Sequence, residues 1–510
     1  MPRYAAIDIG SNSVRMQAAE VTPGAPTRIL ASDREVTRIG SSVFNNGRIS
    51  PEAVNTVSEV LKRMAETYRK LEVAGVRAVA TSAVRDASNQ VEFIRQASET
   101  LGTQVEIISG SEEARLIHLG VQSQWPHPKH RVLVVDVGGG SAEFIVSENG
   151  ELCEGVSRPL GAVRLTEVFL KSDPPSAVEM HRLSRFIDDK LDPILRKLSH
   201  LKFDRVIATS ATAAAIVSAI NRIPRPERDA ADRLRARTSQ VRKLLNDLSE
   251  RDLAGRKKIP GIGPRRAEII TAGTAVFLHV LEQLRAPSLY YSIAGVRDGI
   301  IADLSTRGFG RELSRLTRPQ LRVAESMCRK YQVDLKNARH VAKLSAELFH
   351  HLQPLHKLPP EQGKLLEAAC YLHDTGHFVS DTGHHKHSAY LVQNADLPGY
   401  TDQERQIVAM LCRYHRKSLP APRHDPFRAL PPEAKQAVQL LTPLLRLAVG
   451  LDTSREQKIK EIEITLNNGA PAIGLRSSDD VDLEVWAAER AADTFRQVYG
   501  VPMSISKPKK

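Results

Sequence analysis

This sequence is poor in cysteine and in aromatic residues, and it has no long apolar run. The four cysteines, Cys153, Cys328, Cys370 and Cys412, are scattered without a Cys-x-x-Cys pair. That spacing excludes a disulfide framework and a thiolate zinc site, and leaves them to act as buried small hydrophobes. Nothing approaches the roughly 18 consecutive apolar residues of a membrane span, so no membrane partner is expected. The start, MPRYAAIDIG, enters a strand pattern directly, without the basic, apolar and cleavage regions of a secretory leader. A cytoplasmic protein is the expectation.

What is present describes an ordinary globular chain, with 41% hydrophobic and 26% charged residues. A length of 510 residues exceeds what one hydrophobic core supports and implies three or four domains. The formal net charge of +13 favours an anionic partner: nucleic acid, an acidic membrane surface or polyphosphate. Aromatic residues make up only 5% of the chain, and few interrupt the basic stretch from Arg222 through Arg265 and Arg266. Nucleic-acid readers interleave stacking rings with their cations, so this composition favours phosphate-only recognition over a nucleic-acid partner. A plain solvated helix surface is the alternative reading of that stretch.

The chain repeats itself once. AAIDIGSNSVRMQAAEV (5–21) and VLVVDVGGGSAEFIVSENG (132–150) share one construction of strand, Asp-x-Gly turn and strand, at an offset of 128 residues. The offset lays Asp8 on Asp136, Gly10 on Gly138 and Ser13 on Ser141. One such hairpin per half predicts two related α/β domains facing each other across a cleft. Strands such as VRAVATSAV (76–84) and VEIIS (105–109) alternate with helical patterns between them. The predicted domains are 1–130 and 131–310, both α/β, then a run of long amphipathic helices over 311–455. Residues 456–510 read as a small α+β end piece closed by a basic tail, SKPKK.

In the repeated loops, glycine stands where a hairpin turns tightly and where an oxygen-rich group must approach the backbone. Gly138, Gly139 and Gly140 leave N–H groups free to point at phosphate. Ser13 and Ser141 add hydroxyl donors and Asn12 an amide; the alternative is two simple hairpin turns. Asp136 and Glu143 sit on facing arms of the second hairpin, an arrangement suited to holding Mg²⁺ beside a phosphate. The other reading makes Asp136 a turn cap and Glu143 an exposed side chain.

In SGSEEARLIHLGVQS (109–123), Ser111 is the expected N-cap of a helix with two acids in its first turn. Adjacent helical residues point about 100° apart, so Glu112 and Glu113 cannot both face one site. Glu113 shares a face with Leu116, Ile117 and Gly120 and points inward, whereas Glu112 lies three residues from Arg115 and pairs with it. An inward carboxylate has a raised proton affinity and suits a general base; both acids merely complementing the helix dipole is the competing account. Arg85, after a strand in VATSAVRDA (79–87), is placed either to clamp phosphate or as an ordinary surface arginine.

Taken together, these residues resemble the Ppx/GppA phosphatases, the exopolyphosphatase and guanosine pentaphosphate phosphohydrolase family. The matching motifs are DIGSNSVR (8–15), ATSAVRDA (80–87), SGSEEARLIHLGV (109–121), DVGGGSAEF (136–144), ATSATAAAI (208–216), GPRRAEIITAG (263–273) and GVRDGII (295–301). The resemblance implies two actin-like, ribonuclease H-like domains of the sugar-kinase and Hsp70 superfamily. It implies Glu113 as the base that activates water, Asp136 and Glu143 as the acids associated with Mg²⁺, and Arg85 as a phosphate contact. It also suggests a homodimer. The segment ATSAT (208–212) lacks a glycine expected near Ala211, which touches nucleotide contacts more than hydrolysis.

Eleven of the seventeen histidines fall between 340 and 424. LHDTGH (372–377) and GHHKHSAYLV (383–392), after a helix opening with His340, resemble an HD domain like the one appended to the long form of this family. In a catalytic HD domain His340, His373 and Asp374 would ligate metal with an Asp from a later helix. Val449 stands at that place and Asp452 lies three positions on, so a vestigial site is expected. His384, His385, Lys386, His387, Arg413, Arg416 and Lys417 are then expected to line a basic path for a polyanion.

The sequence therefore predicts a Mg²⁺-dependent exopolyphosphatase acting on inorganic polyphosphate. Guanosine pentaphosphate is the alternative substrate, and a polyphosphate- or alarmone-binding regulator with little turnover is the alternative of another class.

Overall fold

A computed structural model describes residues 1–22, 24–198, 200–308, 314–467 and 469–507. The expected boundary at 310 and the last three residues of the basic tail lie outside the described residues. The chain forms two compact units, 1–306 and 307–510. No described helix is long and apolar enough to cross a membrane.

The first unit holds two mixed sheets. Strands β1 (Arg3–Ile9), β2 (Val14–Glu20), β3 (Arg28–Glu35), β4 (Gly75–Ala80) and β5 (Val105–Ile107) lie in the order β3-β2-β1-β4-β5. The second sheet contains β6 (Arg131–Val137), β7 (Ala142–Glu148), β8 (Glu151–Arg158), β9 (Arg205–Thr209), β10 (Arg235–Arg237) and β11 (Ser288–Tyr291), in the order β10-β11-β9-β6-β7-β8. Read from β8, the second order repeats the first, with β10 added antiparallel at the edge. In each sheet an antiparallel meander of three strands continues into parallel neighbours of its first strand. The repeat seen in two loops thus extends over two whole sheets.

β1 reads as a near-continuous apolar run because both its faces are covered. Ile7 and Ile9 pack with Leu61 and Met64 of the helix Pro51–Lys70, while Ala6 faces Leu116, Ile300 and Ile301 on the other side. Leu116 belongs to the helix Gly110–Gln124, which carries Glu113. Ala114, Ile117 and Val121 of the same helix pack on Val132, Val134, Ile145 and Ile207 of the second sheet. The Glu113 helix is therefore buried between the two sheets, with its first turn at the loop ends of both.

A second helix, Val296–Gly308, returns from the second sheet to the first and lies against the Glu113 helix. The two backbones approach closely at glycines. A Cβ on Gly299 would stand 1.8 Å from the Leu116 carbonyl oxygen, and one on Gly120 would stand 2.2 Å from that of Gly295.

The second unit opens with helices, among them Leu335–His351, Gly363–Leu372, His384–Gln393, Asp402–Tyr414 and Pro432–Gly450. It closes with β12 (Glu461–Asn467), β13 (Ala470–Arg476), the helix Asp482–Tyr499 and β14 (Ser504–Ser506). β12 and β13 form the expected hairpin, and β14 adds a parallel edge. Residues of the helices (Leu441, Leu444, Leu445) and of the end piece (Ile473, Val485, Phe495) belong to one continuous core. Segments 311–455 and 456–510 thus fold around a shared interior. Cys328, Cys370 and Cys412 are buried as expected, but Cys153 is exposed on β8, a strand with no fully buried residue.

Gly299→Ala should lower the free energy of urea unfolding by about 1–3 kcal/mol, because the added methyl group meets backbone that cannot step aside.

Candidate active site

The two loops close with the same hydrogen bond. The Gly10 N–H donates to the Ser13 carbonyl at 3.1 Å, and the Gly138 N–H to the Ser141 carbonyl at 3.0 Å. Gly138 is therefore not a free donor, contrary to expectation: its N–H closes the turn. The carbonyls of this loop face the helix Ala162–Phe169, where Gly138 O accepts from the Ala162 N–H and Gly139 O from those of Val163 and Arg164. In planar trans peptides this turns the following N–H groups, on Gly139 and Gly140, away from that helix. Among the described residues, neither donates to a protein acceptor. Gly139 and Gly140 also have a packing role, since a Cβ on Gly140 would lie 2.5 Å from Ser82 Oγ and 2.7 Å from Ser11 Oγ.

Both loops line one cleft of about 270 Å³, together with Asp8, Asn12, Ser13, Glu113, Asp136 and Ser141. Asp136 lies directly opposite Glu143 in the β6–β7 register. Glu143 is 1% exposed, so it is not the surface side chain of the alternative reading. It stands behind the cleft wall, where its carboxylate accepts from Ser157 Oγ at 2.8 Å. Asp136 accepts from the Thr209 hydroxyl. The first hairpin differs at the equivalent position: Asp8 is paired in register with Arg15.

The neighbours Glu112 and Glu113 are both buried, at 4% and 8% exposure, yet their environments are opposite. Glu112 accepts from Arg115 Nε at 2.7 Å and from Arg77 Nη2 at 3.0 Å. Burial raises its proton affinity, but Arg115 and Arg77 outweigh that and hold its pKa below the ordinary value. Glu113 is pushed well above the carboxylate range by burial, then by Glu143, with Asp8 and Asp136 adding to it and Arg85 opposing. Its Oε2 has no hydrogen-bond partner. Glu143 is pushed up to about 8 by burial and by Asp136, against the Ser141 and Ser157 hydroxyls. The helix cap is Ser109, which accepts from the Glu112 N–H, and not Ser111, whose hydroxyl lies 3.0 Å from that of Ser109. A cap must precede the first helical residue, and the helix begins at Gly110.

Arg85 is outside the cleft lining. Its Nη1 donates to the Ile108 carbonyl at 2.6 Å and lies 3.9 Å from Glu113 Oε2, beside the base. The cations that do line the cleft are Arg15, Arg34, Arg228, Arg266 and Arg297. Among the described residues none of the five forms an ion pair. Arg15 and Arg34 are direct cross-strand neighbours, an arrangement of like charges that is unfavourable by itself. Burial, then Arg34, Arg15 and Arg228, drive the Arg266 pKa well down. Arg34, Arg228 and Arg266 also line a side cavity of about 130 Å³ with Asn12, Arg225 and Arg265. The stretch 222–266 thus supplies four of these arginines. Arg15 was findable from the repeat, as the register partner of Asp8; Arg34, on an unremarkable strand, was not.

In the second unit His373 and Asp374 are adjacent and buried. His340 lies near Asp452, which accepts from Asn337 Nδ2 and from the Gln457 N–H, both at 2.8 Å. His384 and His385 are buried, at 4% and 5% exposure, so they do not line a surface path.

A profile of the Ppx/GppA phosphatase family matches residues 18–307. The chain belongs to this family. A profile of domain III of the same phosphatases matches residues 320–487. Among solved structures, the PPX-GPPA enzyme of Aquifex aeolicus is 30% identical, with a TM-score of 0.52, over 59% of this chain and 99% of its own. An exopolyphosphatase-like protein is 27% identical, with a TM-score of 0.58, over 61% of this chain and 99% of its own. An exopolyphosphatase from Cytophaga hutchinsonii shares the fold at 24% identity and a TM-score of 0.55, over 59% of this chain and 97% of its own.

The raised carboxylates fix a pH dependence. A folded-state pKa above the unfolded value contributes stability that is complete below the ordinary carboxylate range and is lost as pH rises toward 8. In chelator-treated protein, the unfolding free energy of Glu143→Gln should fall less than that of wild type between about pH 4.5 and pH 8. Equal slopes in the two proteins would contradict this account of Glu143.

Proposed function

We propose that this chain is an exopolyphosphatase that hydrolyses the terminal phosphoanhydride bond of inorganic polyphosphate, with guanosine pentaphosphate as the alternative substrate of the same chemistry. The observation that carries the reading is Glu113, buried with an unpartnered carboxylate oxygen in a cleft otherwise crowded with unpaired arginines. Family membership and the exopolyphosphatases among its structural relatives support it. The repeated strand order fits two actin-like domains meeting at that cleft.

Arginines that repel one another in the cleft are relieved by the negative charge of a phosphate chain. The backbone N–H groups of Gly139 and Gly140, with Asn12 and Ser13, hold the terminal phosphate at the loop ends. Glu113 accepts a proton from the attacking water, and its raised pKa suits that transfer near neutral pH. Arg85, beside Glu113, limits how far that pKa rises.

The donor set of Asp136 and Glu143, with Asp8 across the cleft, is all oxygen, and Glu143 Oε2 is buried without a partner. Such a set fits a hard cation, and we assign Asp136 and Glu143 to Mg²⁺, which when bound would neutralise charge on the phosphate oxygens. The side cavity extends the arginine lining past the cleft without aromatic rings to stack a base, which favours the inorganic polymer.

With Mg²⁺ present, wild type should release orthophosphate from polyphosphate, and Glu113→Gln should be slower by about 10²–10⁴-fold while remaining as stable. Equal rates would overturn the mechanism; tight binding without release by wild type would make the chain a regulator. Affinity for polyphosphate should also fall steeply with salt, as a log–log line, and a flat dependence would exclude the arginine track.

A further inference from the structure

We propose that Arg164 is a positioning residue of the cleft: its guanidinium holds the last peptide of the second loop in the orientation that binds phosphate, and ties that loop to the first half of the unit. Arg164 itself stands outside the cleft lining. The inference rests on the reading of the cleft as a phosphate site.

Three successive peptides of the loop turn their carbonyls toward residues 162–164. Gly138 O accepts from the Ala162 N–H at 2.9 Å, and Gly139 O from the N–H groups of Val163 at 2.9 Å and Arg164 at 3.1 Å. These donors belong to the first turn of a helix and have no partner within it. Gly161 allows the approach, since a Cβ there would stand 2.3 Å from the Gly140 nitrogen. The next N–H, of Leu165, is taken by the Gly161 carbonyl at 3.0 Å, so this turn has no backbone donor left for Gly140 O. The Arg164 side chain supplies one: Nε donates to Gly140 O at 2.7 Å. In a trans peptide the carbonyl and the following N–H point opposite ways, so that bond turns the Ser141 N–H to the same side as those of Gly139 and Gly140. Three successive N–H groups facing one way make a concavity for an anion. Among the described residues the Ser141 N–H donates to no protein acceptor. A cation on the carbonyl also polarises the peptide and strengthens its N–H as a donor.

The same guanidinium is held by the other half of the unit. Nη2 donates to Ser82 Oγ at 3.2 Å and to the Asp86 carboxylate, both in the short helix Ser82–Asp86 that also carries Arg85. Its central carbon lies 4.1 Å from the centroid of the Phe44 ring, on the helix Ile39–Asn46. One planar group therefore spans from the second loop to two helices of the first half. The two loops also abut, because a Cβ on Gly139 would stand 3.0 Å from Ser11 Cβ and 3.2 Å from the Asn12 nitrogen. The orientation of the phosphate-binding peptides is thereby made to depend on the first half being in place. Lysine has neither the fork of donors nor the flat face that these contacts use.

The test measures tripolyphosphate binding by calorimetry with Mg²⁺, in the full chain carrying Glu113→Gln so that turnover does not intervene. Adding Arg164→Ala should weaken binding at least about 10-fold. Arg164→Lys, which keeps the charge and most of the stem, should remain at least about 5-fold weaker, and it decides the matter should Arg164→Ala not fold. Guanidinium chloride, but not potassium chloride at the same concentration, should recover part of the loss in Arg164→Ala; a merely structural defect would be worsened by a denaturant. Unchanged affinity in Arg164→Ala, parental affinity in Arg164→Lys, or a loss that guanidinium leaves in place would overturn the proposal. Arg164-dependent binding by a chain that, with Glu113 restored, releases no orthophosphate would refute hydrolysis and leave this inference standing. Hydrolysis indifferent to Arg164 would do the reverse, and no binding by the parent would overturn both.

Discussion

Four buried charged side chains of the first unit, with the half-buried Glu106, hold its site together. Arg77 on β4 reaches Glu112 at 3.0 Å, Asp303 at 3.0 Å and Glu106 at 3.2 Å, and Arg115 reaches Glu112 at 2.7 Å and Asp303 at 3.0 Å. The network joins two strands of the first sheet, the Glu113 helix and the helix that returns at Val296. Buried ions are tolerated only when each is paired, and here each one is. The network takes up Glu112, whereas the next residue, Glu113, has no hydrogen bond at Oε2 and only the more distant Arg85 beside it. The same helical turn produces a carboxylate held charged and one that readily takes a proton, about 100° apart.

The cleft inverts that logic. Carboxylates and arginines line the cleft together with no ion pair between them among the described residues, which costs stability in the free protein. The arrangement is local frustration confined to one place, while sheets, caps and cores elsewhere agree with their sequence.

Much of this was legible in the sequence because it follows a period. The loop repeat fixed the two sheets; the seven-residue interval from Asp136 to Glu143 gave opposite register positions; three-residue spacing gave the Glu112–Arg115 pair. What was missed depends on tertiary neighbours. Arg34 matters because β3 lies beside β2, which no local pattern reveals. Gly138 looked like a phosphate donor until its own turn claimed the N–H. His384 and His385 were read as part of a basic path because their charge was visible and their burial was not, whereas Lys386, Arg416 and Lys417 of the same set are exposed. Cys153 was assigned to the interior by residue type alone, although no residue of its strand is fully buried.

The return of the helix Val296–Gly308 to the first sheet has a consequence for synthesis. The inner face of that sheet, lined by Ala6, Ala19 and Val79, is covered by Ile300 and Ile301, and Asp303 completes the charge network around Arg77. The N-terminal sheet therefore stays unfinished until the whole second sheet has been made. The two halves cannot mature one after the other, and the cleft comes into being only when the last residues of the unit are laid down.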